Sequence, residues 1–162
     1  MTQTPEWQPG GRFADVDGWV GPPDTGPHVW RTLGFRRQHG PAGTSTVLWE
    51  ASADYSFPTS NGRVIQGGLV TAVLDSAMGG ACWTLLDHDE TFLTADLRVE
   101  FLRATRPGRL TANGKVVRRT TRVVFCAAEL LDEEGSLLAA SRCTQIILPA
   151  DGPAGRKVKL ID

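Results

Sequence analysis

The sequence has few of the residues that define special classes of protein. Its three cysteines, Cys82, Cys126 and Cys143, are odd in number and widely spaced, so we expect reduced, buried thiols and no disulfide framework. No apolar run approaches the ~20 residues that a membrane-spanning helix needs. The first residues, MTQTPEWQPGGRF, lack the basic start and apolar segment of a secretory signal. These absences favour a cytoplasmic protein without a membrane partner.

Residues for metal or nucleotide chemistry are equally scarce. The three histidines, His28, His39 and His88, have no metal-like spacing to cysteines or acids. There is no GxSxG elbow, no phosphate-binding loop and no dinucleotide fingerprint. We therefore expect no metal and no redox cofactor. The formal net charge of −1 gives no reason to expect a nucleic-acid partner.

The charge is nevertheless spread unevenly along the chain. Between Arg98 and Arg122 there are eight basic residues and a single acid. Arginine suits phosphate because its planar guanidinium offers paired donors. Arg118, Arg119 and Arg122 of the RRTTR segment are therefore candidates to bind a phosphate-bearing small molecule. The alternative is that they are solvated, outward positions of antiparallel strands.

The length of 162 residues fits one domain that can bury its own core. Residues 1–32 are rich in Gly, Pro and Asp without a regular period, which predicts an irregular N-terminal arm. The tryptophans of this arm, Trp7, Trp19 and Trp30, indicate that it packs on the domain or on a neighbouring subunit. Residues 33–148 form the predicted domain, and residues 149–162 a polar C-terminal tail.

Within 33–148, hydrophobic periodicity predicts strands around a single long helix. Strands are predicted at 33–38 and 44–57, and the PTSNGR segment that follows as a loop. A period of 3.6 from 66 to about 86 predicts the helix, and alternation then resumes in four further strands. This order predicts an α+β fold in which a curved antiparallel sheet wraps around the helix. Association of subunits would cover part of the other face.

The predicted helix carries an acid among very small residues. One stripe consists of Gly68, Ala72, Asp75, Gly79 and Cys82, while the opposite stripe is apolar and predicts the core side. A carboxylate in such a place is costly unless something uses it. Gly67 and Gly68 begin the helix, so their N–H groups lack intrahelical partners and can polarise a carbonyl. A polariser and a carboxylate are the minimum for acyl transfer to water. A buried structural hydrogen bond to Asp75 is the alternative, which periodicity does not decide.

The segment IQGGLVTAVLDSAMGGACW resembles the signature helix of hotdog-fold thioesterases of the phenylacetic acid degradation type. Gln66, Gly67, Gly68 and Asp75 fit its pattern position by position, and the later strands keep the likeness up to residue 148. The resemblance implies a hotdog fold and hydrolysis of acyl-CoA thioesters to free acid and CoA. Asp75 would be the nucleophile or general base, and a Gly67 or Gly68 amide would polarise the carbonyl.

The resemblance also implies that Thr94 positions the attacking water and that the site lies between two subunits of a homodimer or homotetramer. Two positions depart from the family pattern. Gln66 stands where many members have His, and Gln cannot shuttle protons. Ser60 stands where members often have Asn or Gln, so either the adjacent Asn61 serves or the contact is missing.

Three alternatives to hydrolysis are open, and the two departures motivate the first of them. The first is a non-catalytic module that binds acyl-CoA or acyl-carrier protein. The second is a hydratase on the same fold, which usually pairs a His with the carboxylate, and no His lies near Asp75 in sequence. The third is a purely structural oligomeric domain. The acyl group itself is left open by the sequence.

Overall fold

A computed structural model describes residues 28–38 and 40–150 of the chain. Two α-helices, α1 and α2, cover His28–Leu33 and Gly67–Trp83, and a short 3-10 helix covers Ala53–Tyr55. The strands are β1 Phe35–Gln38, β2 Thr44–Ala51, β3 Ser56–Thr59, β4 Gly62–Ile65, β5 Glu90–Phe101, β6 Gly108–Arg119, β7 Val123–Leu131 and β8 Leu137–Pro149.

Six of the strands form one antiparallel sheet in the order β1-β2-β6-β7-β8-β5. Strands β3 and β4 form a separate hairpin that leads directly into α2. Helix α2 packs on one face of the large sheet, chiefly against β6, β2 and β7. One long helix on an antiparallel sheet is the predicted α+β architecture. Strand β5 lies at an edge of this sheet, with one side free of strand partners within the described chain.

The core lies between α2 and the sheet. The predicted apolar face of the helix is buried, as its members Val70, Val73, Leu74, Ala77 and Ala81 are at most 1% exposed. From the sheet, Trp49 is buried edge-on against Phe35, and its indole N–H donates to the Leu33 carbonyl at 2.8 Å. Satisfying that N–H lets a large aromatic side chain fill the core without an unpaired donor.

Helix and sheet come closest at Gly114 of β6. A Cβ atom at this position would overlap the backbone carbonyl of Ala77. Ala77 is itself fully buried, so the helix cannot move outward without opening the core. The absence of a side chain at 114 therefore sets how near α2 lies to the strands beneath it.

A buried arginine holds the C-terminal half of α2. The Arg37 guanidinium of β1 donates to the Gly80 carbonyl at 2.9 Å and to Ser45 Oγ at 3.2 Å. Burial lowers the pKa of Arg37 to about 10, so the group stays protonated at neutral pH. A cation near the end of a helix also interacts favourably with the helix dipole.

The structure corrects several predicted boundaries. The last residues of the predicted arm, and the first of the strand predicted at 33–38, form α1, and Trp30 and Leu33 pack against the core. The strand predicted at 44–57 stops at Ala51, because the Ser52 hydroxyl accepts the Asp54 N–H and caps the 3-10 helix. The loop predicted at PTSNGR is the β3–β4 hairpin. Trp7 and Trp19 lie outside the described residues.

One other expectation is confirmed. All three cysteines are free and buried. No helix within the described ranges has the length and apolarity needed to span a membrane.

Replacement of Gly114 by Ala tests the close approach of helix and sheet. The added methyl group would meet the Ala77 carbonyl, so we expect a loss of about 1–3 kcal/mol in the free energy of unfolding, the usual cost of overpacking. Urea titration measures it. Lys115→Ala, at the exposed neighbouring position, is the control and should change stability by less than about 0.5 kcal/mol. Equal stabilities of the two variants would contradict the close packing.

Candidate functional site

The start of α2 is organised by Gln66. Gln66 is the N-cap residue, and its side-chain Oε1 accepts the Leu69 N–H at 3.1 Å. The side chain folds back so closely over Gly68 that a Cβ there would lie 2.7 Å from Gln66 Oε1. The absence of a side chain at Gly68 therefore gives room for the Gln66 side chain. Gln66 has a structural task that its sequence pattern did not reveal.

This cap leaves the first two amides of the helix unused. Neither the Gly67 N–H nor the Gly68 N–H has a hydrogen-bond partner within the described part of the chain. Both precede the first intrahelical donor, and the positive end of the helix dipole adds to their effect. Two adjacent N–H groups of this kind can polarise a carbonyl oxygen.

Asp75 lies two turns further along α2 and meets Thr94 of β5. The Thr94 hydroxyl donates to Asp75 Oδ1 at 3.1 Å. Oδ2 has no hydrogen bond among the described residues, so one carboxylate oxygen is fixed and the other is open. The structure therefore brings together two of the predicted site residues that are 19 positions apart in sequence.

Burial makes Asp75 a stronger proton acceptor than an ordinary aspartate. Loss of solvation raises its pKa, and the hydrogen bond from Thr94 opposes that rise. The carboxyl group is half-buried, so it is neither sealed in the core nor fully solvated. A carboxylate with a raised pKa suits proton abstraction near neutral pH.

The cysteines near this site are not suited to be nucleophiles. Cys143 lies close enough to Asp75 for the carboxylate charge to affect it. Its interaction with the Cys126 thiol, together with burial, raises the pKa of Cys143 far above its ordinary value. A thiol that stays protonated is a poor nucleophile, so Cys143 is a weaker candidate than Asp75.

Ser60 and Asn61 lie apart from Asp75 in the described chain. Both are exposed at the tip of the β3–β4 hairpin, where the Asn61 N–H donates to Thr59 Oγ1 at 3.3 Å. No hydrogen bond joins their side chains to Gln66 or Asp75 in the described chain. The role predicted for either residue stays a prediction.

The three arginines of RRTTR differ in their surroundings. Arg118 and Arg122 are exposed. Arg119 is half-buried and ion-paired, with its guanidinium 2.6 Å from Glu90 Oε2 and 3.6 Å from Asp87 Oδ2. Because its charge is already balanced, Arg119 is the weakest phosphate candidate of the three.

An apolar groove adjoins the helix start. It has a volume of about 400 Å³ and is lined by Phe57, Val64, Ile65, Gly67, Val70, Phe101, Leu102, Arg103, Ala104 and Thr105. Phe101 and Leu102 are more than half exposed. The groove therefore offers apolar surface beside the unpaired Gly67 amide. Sequence reasoning did not locate it, because its residues come from four separate elements, β3, β4, α2 and β5, and from the loop that follows β5.

Metal chemistry finds no support in the described residues, where no group of three or more His, Cys, Asp or Glu side chains could hold a metal ion. His88 is exposed in the turn after α2, and His39 lies outside the described residues.

Comparison with known proteins shows which family the chain is similar to. Residues 62–139 match the model of the thioesterase superfamily. YigI of Escherichia coli, a medium/long-chain acyl-CoA thioesterase, is 30% identical over 97 residues, which cover 52% of this chain and 63% of YigI. The chain spans about three fifths of the length of the curated relatives it matches.

Solved structures agree in fold. A phenylacetic acid degradation-related protein of Ralstonia eutropha superposes with a TM-score of 0.68 at 26% identity, over 74% of this chain and 89% of that one. The PaaI protein of the E. coli phenylacetic acid degradation operon superposes with a TM-score of 0.69 at 18% identity, over 76% and 86%. The resemblance predicted from the sequence is confirmed, because the segment 62–139, which contains α2 and most of the sheet, matches the thioesterase superfamily, and the fold is the hotdog fold.

Proposed function

We propose that this protein hydrolyses acyl-CoA thioesters to free acid and CoA, with Asp75 as the group that activates the attack. The observation that carries the proposal is the Asp75–Thr94 pair, a half-buried carboxylate held by one oxygen with the other open. The likeness to YigI supports the substrate class.

In the proposed reaction, water attacks the thioester carbonyl carbon while Asp75 accepts its proton, or Asp75 attacks directly. The carbonyl oxygen gains negative charge, which the Gly67 or Gly68 N–H stabilises. The carbon–sulfur bond then breaks. If Asp75 acts as a base, the CoA sulfur leaves with the proton that Asp75 accepted. If Asp75 attacks directly, CoA leaves as a thiolate, and water then hydrolyses the acyl anhydride on Asp75, which releases the free acid, restores the carboxylate and supplies the proton that CoA takes up. Thr94 fixes the orientation of the carboxylate and positions the water.

The proposed reaction needs a second copy of the chain. Asp75 and the Gly67 amide lie about 12 Å apart along α2 at its rise per residue, so one chain cannot apply both to one carbonyl. A two-fold axis near Thr71, midway between them, would place the partner's helix antiparallel and set its first amides against this chain's Asp75. Two equivalent sites result.

The edge of the sheet offers the surface for such a dimer. Strand β5 has 12 residues, carries Thr94, and has no strand partner on its outer side within the described ranges. Leu93 and Phe101 of this strand are 52% and 56% exposed. A long free edge invites pairing, and pairing with a second β5 would continue the sheet.

The rest of CoA would lie outside the reacting centre. In an antiparallel pair of helices, the groove beside the partner's Gly67 lies at the same end as this chain's Arg118 and Arg122. The groove takes the pantetheine arm, and these two exposed arginines hold the phosphates.

Replacement of Asp75 by Asn tests the reaction. We expect CoA release from aliphatic and aromatic acyl-CoA esters to fall ~10²-fold or more, because the proton acceptor is lost. Asp96→Asn, an exposed acid on the same strand as Thr94, is the control and should keep full activity. Wild-type turnover by Asp75→Asn would end the assignment, and binding without turnover by the unmodified protein would favour a non-catalytic module.

The same variant should be folded and at least as stable as the wild type at neutral pH. A carboxyl whose pKa is raised in the folded state stabilises the fold below its unfolded pKa, ~3.9, and that stabilisation is lost as pH rises through the folded value. Asn removes this loss. Urea titrations at both ends of the pH range therefore separate lost chemistry from lost folding.

The pH profile tests the link between Thr94 and Asp75. Activity should fall as pH drops through the raised pKa of Asp75. Thr94→Val removes the hydrogen bond that favours the charged carboxylate, so the acid limb of kcat/KM should shift to higher pH. Thr91→Val on the same strand is the control. A profile that does not move in Thr94→Val would contradict the proposed contact.

Mixed dimers test the two-chain site. Gly67→Pro removes the N–H at the first helical position, which tolerates proline, and the extended Gln66 backbone suits a following proline. Gly67→Ala retains the N–H and is the control. We expect Gly67→Pro and Asp75→Asn each to be inactive alone. Their heterodimer should regain about half of the wild-type activity, since one of two sites is intact. An inactive heterodimer would place the whole site within one chain.

A further inference from the structure

A glutamine lies buried beneath the same stripe of α2. Gln145 of β8 is 0% exposed, and among the described residues neither Nε2 nor Oε1 has a nitrogen or oxygen hydrogen-bond partner. In the sheet it is directly opposite Thr94, so both side chains face α2. A hydrogen bond to the Cys143 thiol is the weakest of the influences on the pKa of that thiol, and because a thiol is a poor partner, it leaves the hydrogen-bonding capacity of the amide largely unused. A fully buried amide without partners is rare in folded proteins and calls for an explanation.

The surroundings of Gln145 show where a partner would lie. Its Nε2 is 3.9 Å from the position that a Cβ of Gly79 would occupy. Gly79 follows Asp75 by about one helical turn on the same stripe, or about 6 Å along the axis. The stripe thus has no side chain above the amide.

The ring of Phe92 lies beside Gly79 and Gln145. Its ring carbon Cζ lies 3.2 Å from the same Cβ position of Gly79, and the ring packs against Trp83 with centroids 6.3 Å apart. Phe92 belongs to the edge strand β5 and is only half-buried. A rotation of this ring would connect the Asp75 carboxylate with the Gln145 amide along Gly79.

We propose that Gln145 ends an acyl-binding subsite under Gly79 and selects acyl groups that carry a hydroxyl or oxo group about six bonds from the thioester carbonyl. This proposal rests on the proposed function, since it places the reacting carbonyl at Asp75. The amide can donate through Nε2 and accept through Oε1, and a hydroxyl can do both in return. An extended acyl chain advances ~1.2 Å per bond. Five bonds therefore cover the distance of about 6 Å from Asp75 to Gly79, and the bond to the hydroxyl or oxo oxygen is the sixth.

Binding to the full-length Asp75→Asn variant tests this selection without relying on turnover. The ligands are 6-hydroxyhexanoyl-CoA and heptanoyl-CoA, which differ by a hydroxyl in place of a methyl group. We expect the hydroxyacyl ester to bind about 10-fold tighter by calorimetry, since the apolar ester leaves the amide unpaired. Equal Kd values, or no binding of either ester, would overturn the proposal.

A second variant assigns the preference to Gln145. In Asp75→Asn/Gln145→Met, of similar side-chain size, the two Kd values should become equal, whereas Asp75→Asn/Thr144→Val, altered at the outward neighbour, should keep the difference. A preference that survives Gln145→Met would overturn the assignment. Failure of the proposed function has a separate signature, wild-type hydrolysis by Asp75→Asn.

Discussion

The contact between Gly114 and Ala77 sets the geometry on which the rest of the site depends. Because β6 has no side chain at 114, α2 lies close to the sheet along its buried face. This close approach of α2 to the sheet brings Asp75 within hydrogen-bond distance of Thr94 on β5 and leaves Gly79 directly over Gln145 on β8. A helix held further from the strands would make none of these contacts. The functional face of the helix is thus positioned by packing on its opposite, apolar face.

The glycines on the stripe that carries Asp75 each make room for a different side chain. Gly68 gives room for the side chain of its own N-cap, Gln66, and Gly79 gives room for the ring of Phe92. Asp75 lies between them, desolvated enough for its pKa to rise but restrained by one hydroxyl. A helix with larger side chains here would bury the carboxylate completely or cover it. Glycine is costly within a helix, so its repeated use on one face is consistent with a surface that must admit another molecule.

The sequence predicted the architecture and the Asp75–Thr94 pair better than the residues around that pair. The period of α2 and its buried face follow from spacing alone, and the family likeness identified Gln66, Gly67, Gly68 and Asp75 as a group. Gln145 was missed because an alternating strand gives no sign that one inward position is polar and unpaired. Pro58 and Gly62 are turn residues, so the sequence predicts a loop at this point. The same residues also tolerate an exposed two-stranded ribbon, which is what the β3–β4 hairpin forms. The sequence does not distinguish Arg119 from Arg118 and Arg122, because its ion pair with Glu90 exists only in the folded chain.

The burial of all three thiols has a practical consequence. Cys82, Cys126 and Cys143 are inside the core and shielded from reagents as long as the domain is folded. A cysteine introduced on the surface would then be the only sulfur that a maleimide dye reaches quickly. Single labels on the outer side of β5 could in this way report distances between copies of the chain, with no native residue removed.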